Sequence, residues 1–147
     1  MNSSQYVVFS LGQQEYGIDI ALAQEVIRIP EQITKIPDTS TYVEGMVNLR
    51  NKIIPVIDLK KRFKFEQTAR TSDSRLLILN LEDMILGTIV DDVAEVLKID
   101  EQAIEALNTT ISSVGSNSVK GIGKIANRLI LLLDAIKLKT EVLSIVN

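Results

Sequence analysis

Residues Val43–Lys61 read VEGMVNLRNKIIPVIDLKK, and residues Val119–Lys137 read VKGIGKIANRLILLLDAIK. Val43, Gly45, Asn51 and Asp58 align with Val119, Gly121, Asn127 and Asp134 at one constant offset. Lys52 meets Arg128, and apolar residues meet apolar residues around them. An earlier pair of segments repeats at a slightly shorter offset: Leu11, Gly17, Glu25, Val26, Ile27, Arg28 and Ile29 align with Leu81, Gly87, Glu95, Val96, Leu97, Lys98 and Ile99. Two registers in the same order, with glycines and charges in step, indicate two copies of one supersecondary unit. The offset widens because the second copy has a longer loop near Asn108–Ser118. The expectation is a two-lobed body with a seam, and a seam is where partners bind.

Short apolar runs bounded by turn residues predict strands at Tyr6–Leu11, Tyr16–Ile20, Val26–Ile29, Arg75–Leu81 and Ile85–Val90. Val43–Leu49 with Ile53–Ile57, and Val119–Ile125 with Leu129–Leu133, predict two hairpins. Each turn contains an asparagine, Asn51 or Asn127, a residue that tolerates positive φ. Pro55 places its strand at a sheet edge or at a bulge. Asp58 and Asp134 each end a strand and are placed to cap a following helix. Pro30–Thr41 reads as a connector and Lys64–Ser74 as the link between copies. Asp100–Leu107 reads as helical, Asn108–Ser118 as a surface loop. Ile136, Leu138, Val142, Leu143 and Val146 recur at helical spacing and predict a C-terminal helix over Ala135–Val146. Many short strands in two copies are best closed as two small barrels, because closure removes exposed edges.

Composition narrows the chemistry. The chain has 147 residues, 46% of them hydrophobic, which suffices for one domain of two small lobes. Net charge is −3 and aromatic content 4%, which argues against nucleic-acid binding and against attraction to anionic lipid. There is no Cys and no His, so the usual thiolate nucleophile, general base and commonest metal ligands are missing. Met1–Gln5 has no signal-peptide character. Runs such as Leu129–Leu133 fall far short of the roughly 18 residues of a membrane span. A cytoplasmic protein without direct membrane insertion is expected.

Few candidates for catalysis present themselves. Asp91, Asp92 and Glu95 form the densest acid cluster, which could hold a hard cation but reads better as a solvated turn between a strand and a short helix. No phosphate-binding glycine loop or nucleophile elbow is present. Arg50 is more informative. The first hairpin tip carries a guanidinium where the second has Ala126, and an arginine fork on a rigid turn suits capture of a carboxylate. A solvated turn arginine is the plainer reading. Two rival functions are a barrel binding a small ligand or oligonucleotide and a metal-dependent hydrolase built on the acid cluster. Low aromatic content and negative charge weigh against the first.

The segments YVVFSLGQQEYGIDIALAQEV (Tyr6–Val26), VEGMVNLRNKIIPVIDL (Val43–Leu59), MILGTIVDDVAEVL (Met84–Leu97) and VKGIGKIANRLILLLD (Val119–Asp134) resemble, in order, the CheW-like family of bacterial chemotaxis coupling proteins. The resemblance covers nearly the whole chain and implies one CheW-like domain over 1–147. It implies a mainly β fold of two five-stranded barrel subdomains around a shared apolar interface, near 5–65 and 75–147, with terminal segments free to pack on the other lobe. It implies no catalysis and no cofactor. The implied partners are a chemoreceptor cytoplasmic tip and the regulatory domain of the histidine kinase CheA, in membrane-associated receptor arrays. Carried over by motif, the receptor-binding positions are Ala23, Gln24, Glu25, Asn48, Leu49 and Arg50, with Val90, Asp92 and Val93 lining the other side. Gly45 and Asn51 are the implied kinase-coupling positions. Two departures are visible: Asn51 follows the NLR motif where the family has Gly, and Ala23 stands where it often has Val.

Overall fold

A computed structural model describes residues 3–66, 69–106 and 118–146. The strands are β1 (Ser3–Leu11), β2 (Gln14–Asp19), β3 (Ala23–Arg28), β4 (Val43–Leu49), β5 (Lys52–Asp58), β6 (Arg75–Asn80), β7 (Ile85–Val90), β8 (Asp92–Asp100), β9 (Ile104–Ala106), β10 (Val119–Ile125) and β11 (Arg128–Leu133). Two α-helices follow the hairpins, α1 (Leu59–Arg62) and α2 (Ala135–Val146), and 3-10 turns occupy Ile20–Leu22 and Glu101–Ala103.

The strands form two sheets, ordered β3-β6-β7-β5-β4 in the first lobe and β8-β1-β2-β11-β10-β9 in the second. Under the sequence repeat, β3, β6, β7, β5 and β4 map onto β8, β1, β2, β11 and β10, so the two orders are one order. The apparent sixth strand also has a counterpart. β9 pairs Glu105 with Ile122, and the isolated bridge in the connector pairs Thr34 with Met46 at the equivalent place. Each sheet draws on both halves of the chain. The halves 5–65 and 75–147 follow the repeat, while the sheets cut across them: β1–β2 lie with β8–β11, and β6–β7 lie with β3–β5.

Alternation along β1 and β6 explains the exchange. Val7, Phe9 and Leu11 enter one cluster with Leu77, Leu79 and Leu81, together with Ile57, Leu59, Leu133, Leu138 and Val142. This is the core shared by the lobes. The intervening residues face the other way. Tyr6 and Val8 fill the second lobe with Ile99, Ile130 and Leu132, while Leu76 and Ile78 fill the first with Val47, Ile54, Val56 and Ile89. Both strands are buried on both faces, which is why they read as continuous apolar runs rather than alternating ones. Each fully buried aliphatic contributes roughly 1.5–3 kcal/mol relative to exposure.

The repeat extends to irregularities. β3 bulges at Gln24 between Ala23 and Glu25, and β8 bulges at Ala94, the repeat partner of Gln24. β4 bulges at Glu44, and β10 at its repeat partner Lys120. Asp58 caps α1 by accepting from Lys61 N at 3.2 Å, and Asp134 caps α2 by accepting from Ile136 N at 3.1 Å and Lys137 N at 3.2 Å.

Some expectations are corrected. Pro55 lies in an inner strand, not an edge, and the bulge is on β4. Its missing N–H is tolerated because the parallel ladder of β5 with β7 begins just beyond it, at Val56. The helix expected over Asp100–Leu107 is a 3-10 turn capped by Asp100 and then strand β9, with Leu107 outside the described residues. The loop expected at Asn108–Ser118 also lies outside them, Ser118 excepted. In α2 the buried face is Ala135, Leu138 and Val142, while Ile136 is 70% exposed. The first hairpin turns through two positive-φ residues, Arg50 (φ 49) and Asn51 (φ 67); in the second the positive φ falls on Ala126 (φ 51). The lobes are curled sheets; in the first, the end strands β3 and β4 share no ladder.

Gly45 is fixed by geometry. Its φ is +141, and a Cβ there would lie 2.1 Å from the Thr34 carbonyl oxygen. That carbonyl is held in place because it accepts from Met46 N at 2.7 Å, while Thr34 N donates to Met46 O at 2.9 Å. Gly45→Ala is therefore expected to cost about 3 kcal/mol, and Gly121→Ala about 1 kcal/mol, because a Cβ at Gly121 meets Glu105 O at 3.0 Å without positive φ. Urea unfolding of the two variants checks the ordering. Asp58 supplies a second test. Burial raises its carboxyl pKa, against the opposing N–H bonds of the cap. A raised acid binds its proton more tightly folded than unfolded, so its contribution worsens as pH rises from the unfolded value through the folded one. Asp58→Asn keeps a capping oxygen and removes the charge. Its stability relative to the parent should improve between pH 4 and pH 7; a difference independent of pH would contradict the assignment.

Candidate functional site

Ala23, Gln24 and Glu25 open β3, at the edge of the first sheet. Ala23 is partly buried against the shared core, the bulged Gln24 is exposed, and Glu25 is half-buried beside its cross-strand partner Ile78. Asn48, Leu49 and Arg50 end β4 and begin its turn. Asn48 is exposed, Leu49 packs onto the interior of the first lobe, and the Arg50 side chain is 65% exposed. The fold brings these two segments together through one interaction. Arg50 Nη1 donates to Glu25 Oε1 at 2.7 Å and Nη2 to Oε2 at 2.5 Å. This bidentate fork spans the open edge between β3 and the β4–β5 hairpin.

The carboxylate suited to Arg50 is thus supplied by its own chain. Arg50 holds the Glu25 carboxyl below the usual range, and Glu25 raises the Arg50 guanidinium in turn. A depressed carboxyl contributes stability above its unfolded value and loses it as pH falls through the folded one. Arg50 is too exposed for the pair to be a large term in stability.

The second lobe has the same device from a different residue. Arg128 donates to Glu15 at 2.7 and 2.9 Å and to Glu95 at 2.8 Å, and Glu95 is the repeat partner of Glu25. Its guanidinium is raised by hydrogen bonds to Glu15 and Glu95. Arg128 aligns with Lys52, not Arg50, so the guanidinium at the first tip is matched by one displaced along the second hairpin.

The remaining candidates separate. Val90 is fully buried in the shared core, so it presents no side chain to a partner. Asp92 is exposed at the start of β8, and Val93 packs against the shared core. Val93 is the repeat partner of Ala23, so the two expected walls of the site are one segment in two copies. Gly45 is buried, and Asn51 stands exposed at the hairpin tip. The acid cluster disperses. Asp91 Oδ2 accepts from Gly12 N at 2.7 Å and meets Lys60 Nζ at 3.2 Å, while Glu95 turns to Arg128. Asp92 and Glu95 lie on a strand rather than in a turn. Among the described residues, no group of three acidic side chains is placed to hold a metal ion, and no helix is long and apolar enough to cross a membrane.

Sequence reading missed a set of exposed aliphatics. Val26 (42%) and Val96 (48%) are repeat partners on β3 and β8, and Ile53 (70%) and Leu129 (55%) are repeat partners on the two hairpins. Ile53 lies beside Asn48, its cross-strand partner. The repeat itself was the available signal, since all four positions align within it.

Comparison with known proteins agrees with this architecture. A family model described as the CheW-like domain matches residues 5–142. The chemotaxis protein CheW of Treponema pallidum is 36% identical over 138 residues, covering 91% of this chain and 81% of that protein. The chemotaxis protein CheW of Klebsiella aerogenes is 32% identical, covering 91% and 80%. A crystal structure of the scaffolding protein TtCheW from Thermoanaerobacter tengcongensis superposes with a TM-score of 0.81 at 41% identity, covering 90% of this chain and 85% of that one. A duplicated, curled two-sheet fold matched along nearly its whole length by chemotaxis and scaffolding proteins leads to one assignment: this chain belongs to the CheW-like domain family.

Proposed function

We propose that this chain is a non-catalytic adaptor that couples the cytoplasmic tip of a chemoreceptor to the regulatory domain of the histidine kinase CheA. The observation that carries the reading is the Arg50–Glu25 fork, which joins the segments 23–25 and 48–50 into one rim of the first lobe. A receptor tip is a helical hairpin, and a helix pair lays an apolar face against a rigid, partly apolar surface. Gln24, Asn48 and Arg50 offer polar contacts there, and Asp92 and Val93 supply the repeat-related segment of the second lobe. Polar contacts of this kind fix register and reject wrong partners more than they add affinity. Val90 acts from below, as a core residue that supports the strand. Gly45 and Asn51 form the kinase-coupling part of the proposal. Gly45 works through backbone shape, by seating the connector at Thr34, and Asn51 by direct contact at the tip. Holding both partners at once raises the effective concentration of one for the other and links their states.

Titration of a receptor-tip fragment against Arg50→Glu, Glu25→Arg and the double exchange tests this. Arg50→Glu should weaken binding roughly tenfold or more if Arg50 touches the receptor. The double exchange should restore thermal stability through a reversed pair but leave receptor binding weak. Full recovery of binding in the double exchange would show that Arg50 acts only by holding Glu25. Unchanged affinity in Arg50→Glu would remove Arg50 from the site.

A further inference from the structure

A polar hollow lies at the other end of β4, about 20 Å from the Arg50 turn by strand length. It is an open surface depression of about 470 Å³, lined by Ser40, Thr41 and Tyr42 from the connector, Lys61, Arg62 and Lys64 at and after α1, and Glu141 of α2. Three cations face one carboxylate, a local excess of positive charge on a chain of net charge −3.

The polar groups of this hollow are mostly committed or donating. Arg62 is held by Glu141 at 2.5 Å and lies over the Tyr42 ring at 5.7 Å, so its guanidinium is fixed in place. Lys61 meets Glu44 at 3.1 Å, but Glu44 is shared with Arg70 at 2.5 Å, so that carboxylate neutralises only part of the charge around it. Among the described residues Lys64 meets no carboxylate, and the hydroxyls of Ser40, Thr41 and Tyr42 meet no protein acceptor. Hydroxyl and ammonium donors converging from two elements, with one acid nearby, suit an oxyanion bearing two negative charges.

We infer that the hollow between the connector, α1 and α2 is a binding site for a phosphate group, free or carried on a small molecule. Lys64 supplies the uncommitted charge, Lys61 a second ammonium, and the three hydroxyls the directional donors. Arg62, locked by Glu141, sets the wall. Glu141 limits affinity, because it is the negative charge in the lining that the ligand would face.

The test is an NMR titration of the isotope-labelled protein with sodium phosphate and, separately, pyrophosphate, at low ionic strength. It needs neither a receptor nor a kinase, so its outcome is independent of the adaptor reading. Saturable shifts should concentrate at 40–42 and 61–64, with pyrophosphate binding tighter if the site accepts a carried phosphate and equally if it takes the free ion alone. Lys64→Gln should weaken binding about fivefold, and Lys98→Gln, on the far edge strand, should leave it unchanged. Glu141→Gln should tighten binding about twofold, although it removes a structural partner of Arg62. Shifts that grow linearly and spread over all surface lysines would overturn the inference. So would unaltered binding in Lys64→Gln, or weaker binding in Glu141→Gln in a protein whose spectrum is otherwise intact.

Discussion

The fold depends on two strands that are apolar on both faces. β1 and β6 each place one set of side chains in the shared core and the alternate set in the interior of a lobe. Neither strand can satisfy both faces against its own half of the chain alone. Each hairpin therefore crosses to the sheet of the other copy, and the shared cluster becomes continuous from Val7 to Val142. Exchange of this kind makes the two lobes one cooperative body.

Polar groups then finish what apolar burial leaves open. A curled sheet with unpaired end strands exposes backbone donors and acceptors along its edges. In both lobes a β3-type glutamate is fastened to a hairpin arginine across that gap, Glu25 to Arg50 and Glu95 to Arg128. In the first lobe the arginine sits at the turn itself, beyond exposed Asn48; in the second it opens the strand after the turn and also holds Glu15. The lobes share a backbone and differ in the charges displayed on it. Difference of that kind lets two similar surfaces choose different partners.

Much of this was legible in the residues. The repeat located the hairpins, the glycines and both helix caps, because those features need particular residue types at particular spacings. Arg50 was legible as a fork seeking a carboxylate; that the carboxylate is Glu25 was not, since the whole connector separates them and no local pattern joins them. The exchange of hairpins was equally hidden. A run such as Arg75–Leu81 says that both faces are buried, but not against which copy. Val90 stood in a motif associated with partner binding, yet it ends β7, an inner strand whose residues from Leu86 onward are buried on both faces. Pro55 marked an edge by a general rule that ignores where a parallel ladder starts. Asp91, Asp92 and Glu95 looked clustered only along the chain, because Asp91 is taken up by Gly12 N and Lys60 while Glu95 is taken up by Arg128.

The central claim is that each half of the chain is incomplete without the hairpin of the other. Cutting the link between copies, to give fragments 1–68 and 69–147, tests it directly. Each fragment alone should show neither a sharp thermal transition nor dispersed amide resonances, and an equimolar mixture should recover both. Cooperative folding of fragment 1–68 by itself, as a monomer, would contradict the account.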